Sequence, residues 1–495
     1  MGKVFASLSC GQTIEPGQGM KKRITNLFVA LGLGAGAVLI SGEETRAQVL
    51  STLHHFAALD SFFENSDGAY PAAGLVLSGN VLYGTASQGG LAGGGTVFKV
   101  NTDGTGFGIL HDFTPPNANT GTQGDGAYPF GGLVLAGSVL YGTTSAGGSL
   151  NSGTIFKMNV DGSGFATLYT FTAADPNTGA NVDGAAPWAG LALSVGQLYG
   201  TCTRGGANGV GTIFKVNVDG SGFTTLHSFK ALDAGTQTNS DGAFPLGGLT
   251  ISGSQVYGTA YKGGGLAVGT VFTLNADGTG FAVLNNANGG PRGTLVLSNN
   301  VLYGTTENGG SSGNGSLFKL NSNGTGFTNL VSFASDTADG PWAGLILSGN
   351  TLYGTTLRGG TAAEGSMFAL NTDGTGFTNL YSFSGGADGG QPQAGLVFSG
   401  NILYGMASEG GPSGDGTVFS LGLSMAGGRQ ELTIRVFGGN VVLNWPTNGL
   451  KLQATTNLVP PIVWTPVVPG PAVMDCQNAV TNAISGMQRF FGLTQ

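Results

Sequence analysis

Apolar positions in this chain come in short clusters of four to seven residues, rich in Val, Ile, Leu, Phe and Tyr and bounded by Gly, Asn, Asp or Ser. No cluster continues with a helical period, so each is read as a β-strand. Four such strands recur as a unit. In the second unit they are Phe107–Phe113, Gly132–Leu135, Val139–Thr143 and Thr154–Lys157. Two joints carry hairpin chemistry, Ser-Gly-Asn at Ser78–Asn80 and Asn-x-Asp-Gly-x-Gly at Asn101–Gly106.

The string Leu-Tyr-Gly-Thr, or a close variant, marks the repeat at Tyr83, Tyr141, Tyr199, Tyr257, Tyr303, Tyr353 and Tyr404, at spacings of 58, 58, 58, 46, 50 and 51 residues. Seven units of four strands predict an all-β, seven-bladed β-propeller, because a lone four-stranded sheet buries both faces only by stacking on its neighbours. A parallel β-solenoid is the competing architecture, but its rungs are shorter and more regular. The phase of the repeat supports a closed ring: the Leu53–Phe56 strand precedes the first unit, while its counterpart is missing after Thr417–Ser420. The N-terminal strand is therefore expected to complete the last blade. The domains are read as a leader and signal peptide over 1–47, the propeller over 48–424 and a small β-sandwich-like C-terminal module over 425–495.

Composition fits this picture. Glycine numbers 94 and charged residues make up only 9%, while the apolar share of 40% is ample for a core. Lys21, Lys22 and Arg23, the apolar run Leu27–Ile40 and Thr45-Arg46-Ala47 form a signal-peptide pattern, too short to span a bilayer, and Met20 just before it makes residues 1–19 a candidate upstream extension. Without residues 1–47 the chain keeps 13 basic and 23 acidic residues, a net charge of −10. That balance disfavours nucleic acid and anionic membrane as partners. Cys202 and Cys476 form neither a disulfide framework nor a metal quartet.

Two loops contrast. The one after LYGT holds a Gly-Gly pair and keeps 12 positions from tyrosine to the next strand's glycine in every unit, the mark of a structural corner. The connection into GLVL varies, with 17, 18, 18, 18, 6, 10 and 11 residues. Four consecutive long loops thus gather on one half of one face, the usual place for recognition on a rigid scaffold. Aromatics flank their proline at Tyr70, Tyr128, Trp188 and Phe244, with Trp342 in a shorter loop; they are candidates for stacking on sugar rings or peptide side chains. Asp67, Asp125, Asp183 and Asp241 are candidate acceptors for ligand hydroxyls. His54, His111 and His227 share one repeat slot with Tyr169, Val331 and Tyr381, and a slot that admits Val is read as packing. The Asp103-type turns lack the further acids of a calcium site.

These units resemble the GloVer tandem repeat of bacterial "choice-of-anchor" extracellular proteins, whose pattern of DGAxPxxGL, LYGTTxxGG, GTVFK and DGTGFxxLHxF reads through Asp125–Phe171. The fifth unit departs from it: Asn285–Gly293 lacks the Asp-Gly-Ala-x-Pro element and Ala287 replaces the terminal Phe. The resemblance implies export and attachment at the cell envelope and no known reaction. The tail is similar to C-terminal modules of related exported proteins through Trp445, Trp464 and the RFFGL ending, which implies an attachment role. The expectation is a secreted or envelope-associated, non-catalytic binding or structural module: a monomer without cofactor, metal or a transmembrane span in the mature chain, contacting polysaccharide or an envelope protein. A propeller-type glycosidase or polysaccharide lyase is the alternative. It needs acids that break the repeat, and Asp112, Glu307 and Glu409 do so only in separate units.

Overall fold

The computed structural model describes residues 48, 50–114, 123–335 and 338–423, and the backbone of the strands between 433 and 494. The leader expected over 1–47 lies outside the described residues, among which no helix is long and apolar enough to cross a membrane. Blade one shows how the pattern folds. Val76–Ser78, Val81–Ala86, Thr96–Asn101 and Gly108–Asp112 pair antiparallel in that order, from the innermost to the outermost strand. The second hairpin closes as its Asp-Gly predicts: Gly104 N donates to Asn101 O at 2.9 Å and Thr105 N to Asp103 Oδ1 at 3.0 Å.

The same order repeats around a seven-bladed β-propeller. Blade seven holds Val397–Ser399, Ile402–Ala407 and Thr417–Gly422, and its outermost strand is Leu50–His55, paired antiparallel from Leu50↔Leu421 to His55↔Thr417. The first described strand thus closes the ring on the last strand of the repeat, as the phase of the repeat predicts. Each LYGT glycine exists for packing. A Cβ at Gly84 would stand 2.6 Å from Phe98 Cζ and 2.8 Å from Leu75 Cδ2, because the tip of the TVFK phenylalanine ring occupies that space.

The core lies between blades. Tyr83 and Val97 of blade one pack with Leu133, Leu140, Phe156 and Met158 of blade two, and Tyr404, Met406 and Val418 of blade seven pack with Leu75, Leu82 and Phe98 of blade one. Alternate residues of each strand therefore serve opposite seams, and each fully buried Phe contributes on the order of 2 kcal/mol.

The GLVL strand faces the axis. A Cβ at Gly132 would meet Gly74 O at 3.1 Å, one at Gly190 would meet Gly132 O at 2.8 Å, and one at Gly74 would meet Gly395 O at 3.5 Å. Seven backbones converge there, so glycine fills the slot in six blades and Thr294 in the fifth, where its Oγ1 accepts Gly248 N–H at 3.1 Å. Beyond residue 432 the strands form a separate four-stranded sheet, Thr433–Phe437, Asn440–Pro446, Gln477–Ala483 and Ala472–Met474, and a three-stranded one, Thr465–Pro466, Lys451–Thr455 and Phe490–Thr494.

Candidate functional site

The variable loops each carry the chain from the outermost strand of one blade to the innermost strand of the next, and a β-bulge in that outermost strand begins the crossing. In blade one Val97 faces His111 and Phe98 faces Ile109, leaving Leu110 as the extra residue; the same irregularity occurs in every blade. The bulge re-aims the following side chain toward the loop. His54 Nε2 lies 2.9 Å from Asp67 Oδ2, His111 Nε2 3.3 Å from Asp125 Oδ2 and His227 Nε2 3.0 Å from Asp241 Oδ2; Tyr169 Oη donates to Asp183 Oδ2 at 2.8 Å. Each of these four rings also stacks on the next blade's phenylalanine, as His54 does on Phe107 at 3.5 Å between centroids. The loop backbone completes the clip, for Ala57 N donates to Asp67 and Thr172 N to Asp183.

These clips place the four candidate acceptors and correct one expectation. The carboxylates of Asp67, Asp125, Asp183 and Asp241 are hydrogen-bonded within the chain, where they fasten the loops, and three of the four residues are buried at 8%, 2% and 3% exposure. The slot shared by His54, His111 and His227 is a hydrogen-bonding slot. A fifth clip, Tyr381 Oη to Asp388 Oδ2 at 2.9 Å, holds the loop into blade seven; burial and that carboxylate push the Tyr381 phenol up to about 12.

Each loop ends at a buried proline: Pro71, Pro129, Pro187, Pro245, Pro291, Pro341 and Pro392. The residue before it is left-handed in all seven blades: Tyr70 (φ 53°), Tyr128 (58°), Ala186 (52°), Phe244 (54°), Gly290 (67°), Gly340 (63°) and Gln391 (52°). Two backbone bonds hold that unfavourable geometry. Tyr128 N donates to Gly94 O of the preceding blade at 2.8 Å, and Tyr128 O accepts from Ser145 N at 3.1 Å. Tyr70, Tyr128 and Phe244 thus share a half-buried stapling slot at the seam.

Trp188 and Trp342 belong to a different slot, the one after the proline. Its seven members are Ala72, Phe130, Trp188, Leu246, Arg292, Trp342 and Gln393, and all line a cavity of about 690 Å³ on the propeller axis. The floor is the converging backbone of Gly74, Gly132, Gly190, Gly248, Gly344 and Gly395. Because the lining runs from this slot into the first half of the GLVL strands, the cavity opens on the face where the variable loops arrive. Phe130 and Trp188 stack at 4.9 Å between centroids, and Trp188 leaves 38% of its surface exposed. Opposite them the Arg292 guanidinium sits 3.6 Å above the Trp342 ring, with Nη1 3.3 Å from Glu307 Oε2. Burial, followed by the Glu307 charge, holds the Tyr261 phenol above its ordinary value. Gln393 Nε2 is anchored by Ser408 Oγ at 2.9 Å. The sequence reading therefore found two members of the ring and missed Ala72, Phe130, Leu246, Arg292 and Gln393; alignment of the units on the proline would have shown all seven.

Over residues 43–182 and 281–458, more than half of the chain, the sequence matches the model of the Gloeobacter/Verrucomicrobia repeat. The chain belongs to that family. Residues 183–280, between the two matched regions, hold blade three and most of blade four of the same repeat, paired in the same register as their neighbours. No curated protein matches the chain. Solved structures that it resembles include an oligogalacturonate lyase from Vibrio parahaemolyticus (10% identity, TM-score 0.47, 77% of this chain and 98% of that one) and a chain of a nidogen/laminin complex (14% identity, TM-score 0.36, 61% and 92%). Likenesses at this level carry nothing about activity.

Proposed function

We propose that this chain is an exported, non-catalytic binding module at the cell envelope, and that it takes saccharide at the mouth of its central cavity. The observation that supports this reading is the ring after the proline, where exposed Trp188 stacked on Phe130 faces Trp342 across a cavity floored by backbone peptides. Aromatic faces accept the apolar faces of sugar rings, and peptide groups and the anchored Gln393 amide offer partners for hydroxyls. No carboxylate stands among the residues lining the cavity, whereas a glycosidase would need a pair there. The apolar run after the basic cluster Lys21-Lys22-Arg23 supports export, and the family's name for its repeat adds nothing on ligand.

A glycan array probed with the purified mature chain tests the assignment. Trp188→Ala and Trp342→Ala are expected to weaken any bound glycan by roughly tenfold each, as loss of an aromatic platform does, while Tyr128→Ala, in the stapling slot, leaves binding within about twofold. Loss of binding on Tyr128→Ala alone would return recognition to the outer loops, and an array with no bound glycan would remove saccharide as the ligand.

A further inference from the structure

Three departures from the repeat meet at one point of the mouth. Position four after the LYGT tyrosine is Ser87, Ser145, Thr203 and Ser408 in four blades and the apolar Leu357 in blade six, but Tyr261 in blade four and Glu307 in blade five; the slot after the proline holds Arg292 only in blade five. The fifth loop is cut to six residues, and its residue before the proline is Gly290, where a Cβ would stand 2.7 Å from Tyr261 Cε2. The shortened loop, bare of a side chain at Gly290, thus makes room for the Tyr261 ring. Tyr261 stands beside Glu307, Glu307 pairs with Arg292, and Arg292 lies on Trp342.

Resting on the saccharide reading above, we propose that this array reads a carboxylate on the sugar, with Arg292 as the residue that binds it. Arg292 is the one charged residue among those lining the cavity. Its side chain is mostly covered, at 18% exposure, and is fixed on one face by the indole and at Nη1 by Glu307, so little side-chain freedom is left to lose when a ligand arrives. A guanidinium offers five N–H donors in a planar fork, and the pair with Glu307 engages one nitrogen. A carboxylate matches that fork in two parallel hydrogen bonds, which an ammonium or an amide does not reproduce. Phe130 and Trp188, across the mouth, supply the platform for the sugar ring itself. The ligand class that satisfies both sides is a pyranose carrying a carboxylate, a uronic acid residue at the exposed end of a glycan. Glu307 and Tyr261 are positioning residues that hold the guanidinium in place.

Calorimetric titration of the mature chain with a uronic acid oligosaccharide, and with the same oligosaccharide after carboxyl reduction, tests this directly. The acidic form is expected to bind on the order of tenfold more tightly, the worth of a charge-assisted bidentate pair. Arg292→Gln should bring the acidic form down to the affinity of the reduced one. Arg292→Lys, which keeps the charge and loses the fork, should lose most of the preference, and an unchanged near-ultraviolet circular dichroism spectrum shows that both variants are folded. Trp188→Ala should weaken both forms alike. Equal affinity of the two forms for the unmodified chain, or a preference that survives Arg292→Gln, overturns the carboxylate assignment and leaves saccharide binding standing. A sulfated neutral oligosaccharide bound as tightly as the uronic form overturns it in favour of anions in general, and binding of neither form overturns both readings.

Discussion

A single step along the backbone separates two kinds of residue around each buried proline. The side before it is a backbone device: the left-handed geometry at Ala186 and Gly340 is held by the same pair of hydrogen bonds, from Ala186 N to Ser152 O and from Thr203 N to Ala186 O in one, and from Gly340 N to Asn314 O and from Leu357 N to Gly340 O in the other. Left-handed backbone costs a residue with a Cβ about 1 kcal/mol or more relative to glycine. Gly340→Ala is therefore expected to destabilise the propeller by about 1 kcal/mol and Ala186→Gly to stabilise it by up to about that amount, read as opposite shifts of the urea midpoint. A Cβ at Gly340 finds its nearest neighbour 3.8 Å away, so the loss is conformational and not steric. The side after the proline carries the mouth. The aromatics at Tyr128 and Trp188 look equivalent in sequence because both touch Pro; their difference is one of register against a bent backbone, and residue type alone does not show which way that backbone turns.

At the scale of elements, the clips explain why loops as long as 18 residues can hold one path over the seams. Their cost when broken follows burial. The Asp241 side chain is 4% exposed and accepts from Lys230 N as well as facing His227, whereas that of Asp125 is 26% exposed beside His111. Asp241→Ala leaves a buried donor set without its acceptor and is expected to cost about 2–3 kcal/mol, with Asp125→Ala roughly half of that because water replaces part of the loss. Urea unfolding reads the difference, and limited proteolysis of the loop between Phe229 and Gly248 reports whether the loop itself is released; equal costs would show that burial does not govern the clips. This partnership was partly legible. His54, His111, Tyr169 and His227 stand 13 or 14 residues ahead of an aspartate, and Asn285 and Val331 fall in units whose loops lack the Asp-Gly-Ala-x-Pro element. Val331 argued for packing only while its own loop was left out of the comparison. The bulge that brings the two side chains together leaves no distinctive residue in the sequence.

For the whole molecule, the repeat phase foretold the closure of Leu50–His55 on Thr417–Gly422, since a missing strand at one end and a spare one at the other admit few other pairings. It did not tell which strand faces the axis, because GLVL and LYGT are equally apolar and only the crowding of backbones at Gly74 and its equivalents distinguishes them. The ring that results is not equally strong at every seam. The LYGT threonine bonds across to the next blade at Thr85→Gly131 O, Thr143→Ala189 O, Thr201→Gly247 O, Thr305→Ala343 O and Thr355→Ala394 O, all within 3.1–3.3 Å. Thr259, on the seam between blades four and five, is 1% exposed and has no partner for Oγ1. The same seam has Ala287 where the others bury a phenylalanine, and Asn285 where five of them hold a clip. A buried hydroxyl with no acceptor is a liability that a methyl of the same shape removes. Thr259→Val is accordingly expected to be neutral or stabilising by up to about 1 kcal/mol, while Thr201→Val, which gives up a made bond, costs about 1 kcal/mol; equal losses in urea unfolding would mean that the fourth seam is as well bonded as the third. The unit that weakens its own seam is the one that places Arg292 on Trp342, and local departures from an otherwise consistent repeat are where function displaces packing.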